Sequence, residues 1–162
     1  IDVGYGQLAW ELRQDPRVIV MERTNIRYVK LEDLEDIPQG AVVDVSFISL
    51  KLVLPVVHEL LTMDGHIVAL VKPQFEAGKE NIGKNGVVRD SNVHRQVLYD
   101  ILSWCLKSGF VIKGLTFSPI KGPKGNIEFL LYICKEQNVQ QILDIKELAS
   151  KAVNEAYAEF AL

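Results

Sequence analysis

Three polar residues sit where apolar runs of this 162-residue chain stop. They are Asp44 in Val42-Val-Asp-Val-Ser-Phe-Ile-Ser-Leu50, Lys72 in Leu70-Val-Lys-Pro-Gln-Phe75, and Glu128 in Gly125-Asn-Ile-Glu-Phe-Leu131. A lysine flanked by carboxylates can take a proton from a hydroxyl held beside it. Carboxylates raise the proton affinity of an amine, burial or a second cation lowers it, and a general base near neutral pH needs the second influence. The same charges also describe a buried ion-pair network, and spacing alone leaves the two readings even.

The elements that must position these groups follow from patterning. Ile67 to Val71 is an uncharged apolar run ended by Lys72-Pro73, which reads as a strand buried on both faces of a parallel sheet. Pro73 cannot continue a ladder and biases Lys72 toward extended backbone. The lysine is thereby presented at the carboxyl end of the strand, where open α/β sheets place their ligand crevice. Ala41 to Asp44 predicts the preceding strand and Ile127 to Cys134 an antiparallel one. All three polar residues then face one edge of the sheet.

The rest of the chain supplies the frame. Ile1-Asp2-Val3 reads as a strand end, followed by a Gly-containing turn through Gly6 and a short helix from Gln7 to Arg13. Arg17 to Met21 is a further predicted strand, and Glu32 to Asp36 an acidic loop. Ser49 can cap a helix carrying Leu50, Val53, Leu54, Val57, Leu60 and Leu61 inward, with Pro55 awkward unless at a first turn or kink. Phe75 to Val88 is a long loop with three glycines, expected to be mobile or a lid. Ser91 is expected to cap a helix ending near Ser108, closed by Gly109. Phe110 to Phe117 is a strand, Lys121 to Asn126 a turn, and Val139 to Phe160 a final amphipathic, acidic helix. The pattern is α/β, a doubly wound, mostly parallel sheet with one antiparallel strand near the C-terminus.

The length fits one domain, and 48% apolar composition supports a sizeable core. A net charge of −3 argues against nucleic-acid binding through overall basicity. Between Lys72 and Lys124, however, nine cations meet four acids, a local +5 compatible with a phosphate-bearing partner. Lys79, Lys84, Arg89, Lys121 and Lys124 are the exposed-loop candidates for such contacts. Cys105 and Cys134 sit in apolar surroundings without metal-ligand spacing, pointing to buried thiols and a reducing, cytoplasmic setting. No apolar run is long enough to span a bilayer, and no metal site is expected. The opening Ile1-Asp2-Val3, without Met, reads as a piece cut inside a strand.

Six ordered segments resemble one family: Asp2-Val-Gly-Tyr-Gly-Gln-Leu8, Met21-Glu-Arg-Thr-Asn25, Asp44-Val-Ser-Phe-Ile-Ser49, Val71-Lys-Pro-Gln-Phe-Glu76, Gly86-Val-Val-Arg-Asp90 and Gly125-Asn-Ile-Glu-Phe129. Together they are similar to the TlyA (hemolysin A) family of FtsJ-like ribosomal RNA 2′-O-methyltransferases, over nearly the whole chain. The resemblance implies a Rossmann-like methyltransferase fold, S-adenosyl-L-methionine as cofactor, and ribosomal RNA or ribosomal subunits as partner. Of the family's Lys-Asp-Lys-Glu tetrad it maps the Asp to Asp44, the second Lys to Lys72 and the Glu to Glu128. Lys72 would then take the proton of a ribose 2′-hydroxyl, a group only RNA carries, while Asp44 and Glu128 orient lysine and ribose. Asp2, Val3 and Gly4 would bind the cofactor with Asp2 on its ribose, Glu22 and Asn25 would border the adenine, and Asp44 would reach both cofactor and lysine.

Two parts of the family pattern are absent: the first tetrad Lys, and the Gly-rich turn after the first strand. Asp2-Val-Gly-Tyr-Gly6 could be that turn, but the resemblance places it after the second strand. The domain is therefore expected to span 1–162 without its first, central strand, and without the small S4-type RNA-binding domain the family carries upstream. Leaving that strand out exposes interior edges of the sheet. The segment Asp44-Val-Ser-Phe47 stands where base-modifying methyltransferases show Asp/Asn-Pro-Pro-Tyr. A non-catalytic RNA-binding scaffold and a membrane-active hemolysin are the alternatives. The charge cluster speaks against the first, and the acidity of the last helix against the second.

Overall fold

The computed structural model describes residues 1–134 and 141–161. Its sheet has four strands, β1 (Gly40–Val43), β2 (His66–Val71), β3 (Val111–Phe117) and β4 (Phe129–Cys134), in the order β1-β2-β4-β3. β1 and β2 are parallel, and β4 runs antiparallel to both its neighbours. β3 and β4 are joined by residues 118–128, so this loop lies at the same edge as the carboxyl ends of β1 and β2. The expected mixed sheet with one reversed strand is the observed one.

Register explains where the core lies. Val43 stands opposite Ala69, Ala69 opposite Leu131, and Ile67 opposite Ile133. These side chains share one face with Val71, Phe129 and Ile112, and all are buried. Against them pack α2 (Leu50–Leu60), α4 (Ser91–Lys107) and α5 (Ile145–Glu159), whose inward residues join the same core. The other face carries Val42, 88% exposed, the half-covered Val68 and Leu70, and Tyr132, none of them in that core. β2 is therefore buried on one face and only partly covered on the other, because every long helix lies on the same side.

The helices end where their chemistry dictates. Ser49 Oγ accepts the Lys51 N–H at 3.2 Å and caps α2, and the expected inward residues of that helix are all buried. Pro55 lies inside α2 but on its exposed side, where the carbonyl left without an N–H partner is nearest water. In α4 the cap is Asp90 rather than Ser91: its carboxylate takes the Asn92 N–H at 2.8 Å, and Ser91 becomes the first helical residue. Gly109, at φ +81°, closes α4 as expected. α5 starts at Ile145 under a double cap from Asp144. Residues 139 and 140 of the expected helix lie outside the described residues.

The first 39 residues depart from expectation. α1 (Trp10–Gln14) is the short helix, starting three residues later and ending one later than expected. Neither Ile1–Val3 nor Arg17–Met21 forms a strand. The two stretches touch through Asp2 N–H to the Met21 carbonyl and Thr24 N–H to the Asp2 carbonyl, both 2.9 Å. A parallel ladder needs the two partner residues spaced by two; here they are spaced by three, so pairing stops. Among the described residues no strand pairs with the free edge of β1. No helix among them is long and apolar enough to cross a membrane.

Candidate active site

Strand ends bring the predicted charges together. β1 stops at Val43 and β2 at Val71, and the next residue of each side meets the other's: Lys72 Nζ lies 2.6 Å from Asp44 Oδ1. The lysine side chain is 13% exposed and the aspartate 70%, so the amine is enclosed while the carboxylate looks outward. A second ligand of Nζ is Ser46 Oγ at 3.1 Å. Pro73 fixes the turn after Lys72 as the first residue of α3 (Pro73–Glu76), a position where its missing N–H costs nothing.

Glu128 is 6% exposed and lines the same cleft as Lys72 without touching it. Its Oε1 accepts from Gln74 Nε2 at 2.9 Å, and a Cβ on Gly122 would stand 2.6 Å from it, so a larger residue there would have to displace this carboxylate. The cleft, about 370 Å³, is lined by Phe47, Lys72, Gln74, Phe75, Lys124 and Glu128 among others. Phe47 is 91% exposed and held at φ +62°, with its ring 4.8 Å from that of Phe75. A bulky residue in the left-handed region stores strain, and such strain clusters at functional sites.

A second cleft, about 350 Å³, has Asp44, the ion-pair partner of Lys72, in its lining. It runs along β1 and past its end, from Gly40 to Val45, walled by Val53, Val57 and Leu60 of α2 and closed by Ile1, Ile26 and Leu34. Of the residues assigned to the cofactor, only Asp44 lines it. Asp2 turns back to accept its own Gly4 N–H at 2.6 Å. Glu22 is taken by Arg13 and by the Gly6 N–H at 2.8 Å, and the Arg13 guanidinium holds its carboxyl below the usual range. Asn25 accepts the Arg27 N–H. Asp2, Val3, Gly4 and Glu22 are thus brought together, with Arg23 N–H on the Gly4 carbonyl, beside the cleft rather than in it.

The five expected RNA-binding cations are all exposed on the loops that rim the Lys72 cleft. Lys79 and Lys84 begin short 3-10 turns, and Arg89 precedes the α4 cap. Lys124 lines the cleft itself, and Lys121 lies 4.6 Å over the Phe160 ring. The 77–90 loop is fastened, not free: buried Asn126 accepts the Val88 N–H and donates to the Gly86 carbonyl, both at 3.0 Å. Ser46, Phe47, Gln74 and Asn126 are the members that residue-type reasoning passed over. Their only signal was adjacency to Asp44, Lys72 and Glu128.

Comparison with known proteins places these features in a lineage. A family model described as FtsJ-like methyltransferase matches residues 1–135. The chain is 49% identical to "Putative rRNA methyltransferase YqxC" of Bacillus subtilis, over 98% of this chain and 60% of that protein. It is 45% identical to the 16S/23S rRNA (cytidine-2′-O)-methyltransferase TlyA of Mycobacterium tuberculosis, over 82% and 49%. A solved structure, "Putative hemolysin from Streptococcus thermophilus", superposes with a TM-score of 0.91 at 48% identity, over 98% of this chain and 57% of that one. The chain spans about half to three fifths of the curated relatives it matches. Fold, motif order and these identities together make the chain a member of the FtsJ-like methyltransferase family.

Proposed function

We propose that this chain is the methyl-transfer domain of an enzyme that methylates the ribose 2′-hydroxyl of ribosomal RNA, with S-adenosyl-L-methionine as donor. The observation that carries the reading is Lys72 itself: enclosed, lining one cleft, and 2.6 Å from Asp44, which lines the other. The relative named a cytidine-2′-O-methyltransferase supports the reaction type.

The two clefts suit two ligands. The nucleotide fits the cleft of Phe47, Phe75, Lys124 and Glu128, where an exposed aromatic ring can stack a base and a lysine can meet phosphate. Lys79, Lys84, Arg89 and Lys121 extend that positive rim. The groove along β1 is mostly apolar, with Asp44 at its carboxyl end. The cofactor would then lie at the carboxyl end of that groove, against Asp44 and near the Asp2–Gly4 and Glu22–Asn25 turns. When bound it supplies a methyl on a sulfonium, an electrophile that needs only an aligned nucleophile.

Lys72 accepts the 2′-hydroxyl proton at Nζ. Asp44 and Ser46 hold that nitrogen in place, and Glu128, oriented by Gln74, accepts a neighbouring hydroxyl of the ribose. The test is transfer of labelled methyl to ribosomal subunits by the full-length protein. Lys72→Ala is expected to lower turnover at least about 100-fold while cofactor binding, read by calorimetry, persists. Undiminished turnover in that variant would refute the base assignment, and full-length protein that binds RNA but never transfers methyl would favour a non-catalytic scaffold.

A further inference from the structure

Glu76 closes a contact that the sheet does not supply. It ends α3, the single turn that follows Lys72, and its carboxylate reaches the start of α2. Oε2 accepts the Ser49 hydroxyl at 2.7 Å and Oε1 the Leu50 N–H at 2.8 Å. Ser49 Oγ is at the same time the acceptor for the Lys51 N–H, so its one proton is committed to Glu76. A carboxylate at the N-terminus of an 11-residue helix also meets the positive end of the helix dipole. Burial pushes the Glu76 carboxyl upward, and the Leu50 and Ser49 donors pull against it.

What this strap holds is the cleft. The β1–β2 pairing ends with Val43 opposite Ala69. Beyond it, residues 44–49 carry Asp44, Ser46 and Phe47, while residues 72–76 carry Lys72 and Phe75. Three contacts around Lys72 cross between these two short segments: Lys72 to Asp44, Lys72 to Ser46, and Phe47 to Phe75. Glu76 fastens the far ends of both segments, 26 and 27 residues apart in sequence, and touches none of the reacting groups.

We propose that Glu76 is a positioning residue, which sets the Lys72 amine against Asp44 and the 2′-hydroxyl by strapping α3 to the start of α2. The inference rests on the reading of Lys72 as base. In the full-length protein, Glu76→Ala is expected to lower kcat about 10- to 100-fold, the scale of a small misplacement of a reacting group. KM and Kd for the cofactor should stay within about two-fold, since the strap lies away from the groove along β1. Glu76→Gln should restore most of the rate, its amide oxygen accepting from Leu50 and its nitrogen donating to Ser49. Ser49→Ala, which removes one of the two bonds, gives a smaller loss of kcat and serves if Glu76→Ala does not fold.

Wild-type kcat in Glu76→Ala, with Lys72→Ala inactive, would overturn the positioning role and leave the base assignment standing. A rate loss that Glu76→Gln fails to restore would overturn it too. Turnover surviving in Lys72→Ala would overturn both.

Discussion

Residues 1–39 and residues 40–134 are held by different forces. In the first region only Val29 is buried, α1 buries nothing, and Tyr5, Trp10 and Tyr28 are all well exposed. Its shape comes from local polar bonds: Asp2 to Gly4, Glu22 to Arg13 and Gly6, Asp15 to Arg17, Asn25 to Arg27. The second region carries the whole sheet, and its inward face is closed by three helices. Both regions contain strand-like apolar runs. Only the second gives them neighbours with matching register, and a strand without a partner is not stable on its own. The predicted base, its carboxylate and Glu128 all belong to the sheet-bearing region, as precise chemistry requires.

That contrast can be broken experimentally. The largest effect is expected at Phe129, wholly buried where β4 pairs with both β2 and β3. Phe129→Ala should destabilise the fold by about 3–5 kcal/mol, seen as a lower denaturant midpoint; a loss as small as that of a surface change would mean the sheet is not the stable unit.

His94 gives the next effect. It is wholly buried, Nδ1 lies 3.1 Å from Tyr157 Oη, and burial lowers its pKa to about 4. Tyr157 donates to the Arg89 carbonyl, so the imidazole supplies the proton in their bond and is held neutral. The unfolded chain binds this proton near pH 6.5 and the folded one only near 4, so stability falls as pH drops through that window. The loss approaches about 3 kcal/mol at its lower end. His94→Gln should flatten that slope in urea titrations between about pH 4 and 7, and an unchanged slope would show that another group sets it.

The smallest effect belongs to the first region. Arg13→Ala frees Glu22 and the Gly6 turn. It should leave the global unfolding midpoint unchanged within error while speeding proteolytic cleavage before residue 40. A shifted midpoint would show that the two regions unfold together.

Legibility in the sequence differs between the strands and the site. β2 can be read from Ile67–Val71 because five apolar residues closed by Lys-Pro allow few alternatives. Arg17–Met21 carries an equally apolar centre, yet no residue within it reports whether a partner strand stands at the right offset. Asp44, Lys72 and Glu128 can be picked out because charge at the end of an apolar run is rare enough to notice. Phe47 cannot, since nothing in its type says that the chain will hold it outward at a positive φ. Glu76 reads as one more charged loop residue, and its two partners are 26 and 27 positions away.

The sequence by itself determined which segments can be strands or helices and where chemistry could sit, because periodicity, caps and proline act over a few residues. Ser49, Gly109 and Lys72-Pro73 each act locally. Tertiary structure alone decided the rest: that Lys72 meets Asp44 and Ser46 rather than Glu128, that one sheet face is closed and the other open, and that Glu76 ties α3 to α2. These depend on register and on which way the chain returns. Such distances are fixed only when distant segments are packed together, and no local preference encodes them.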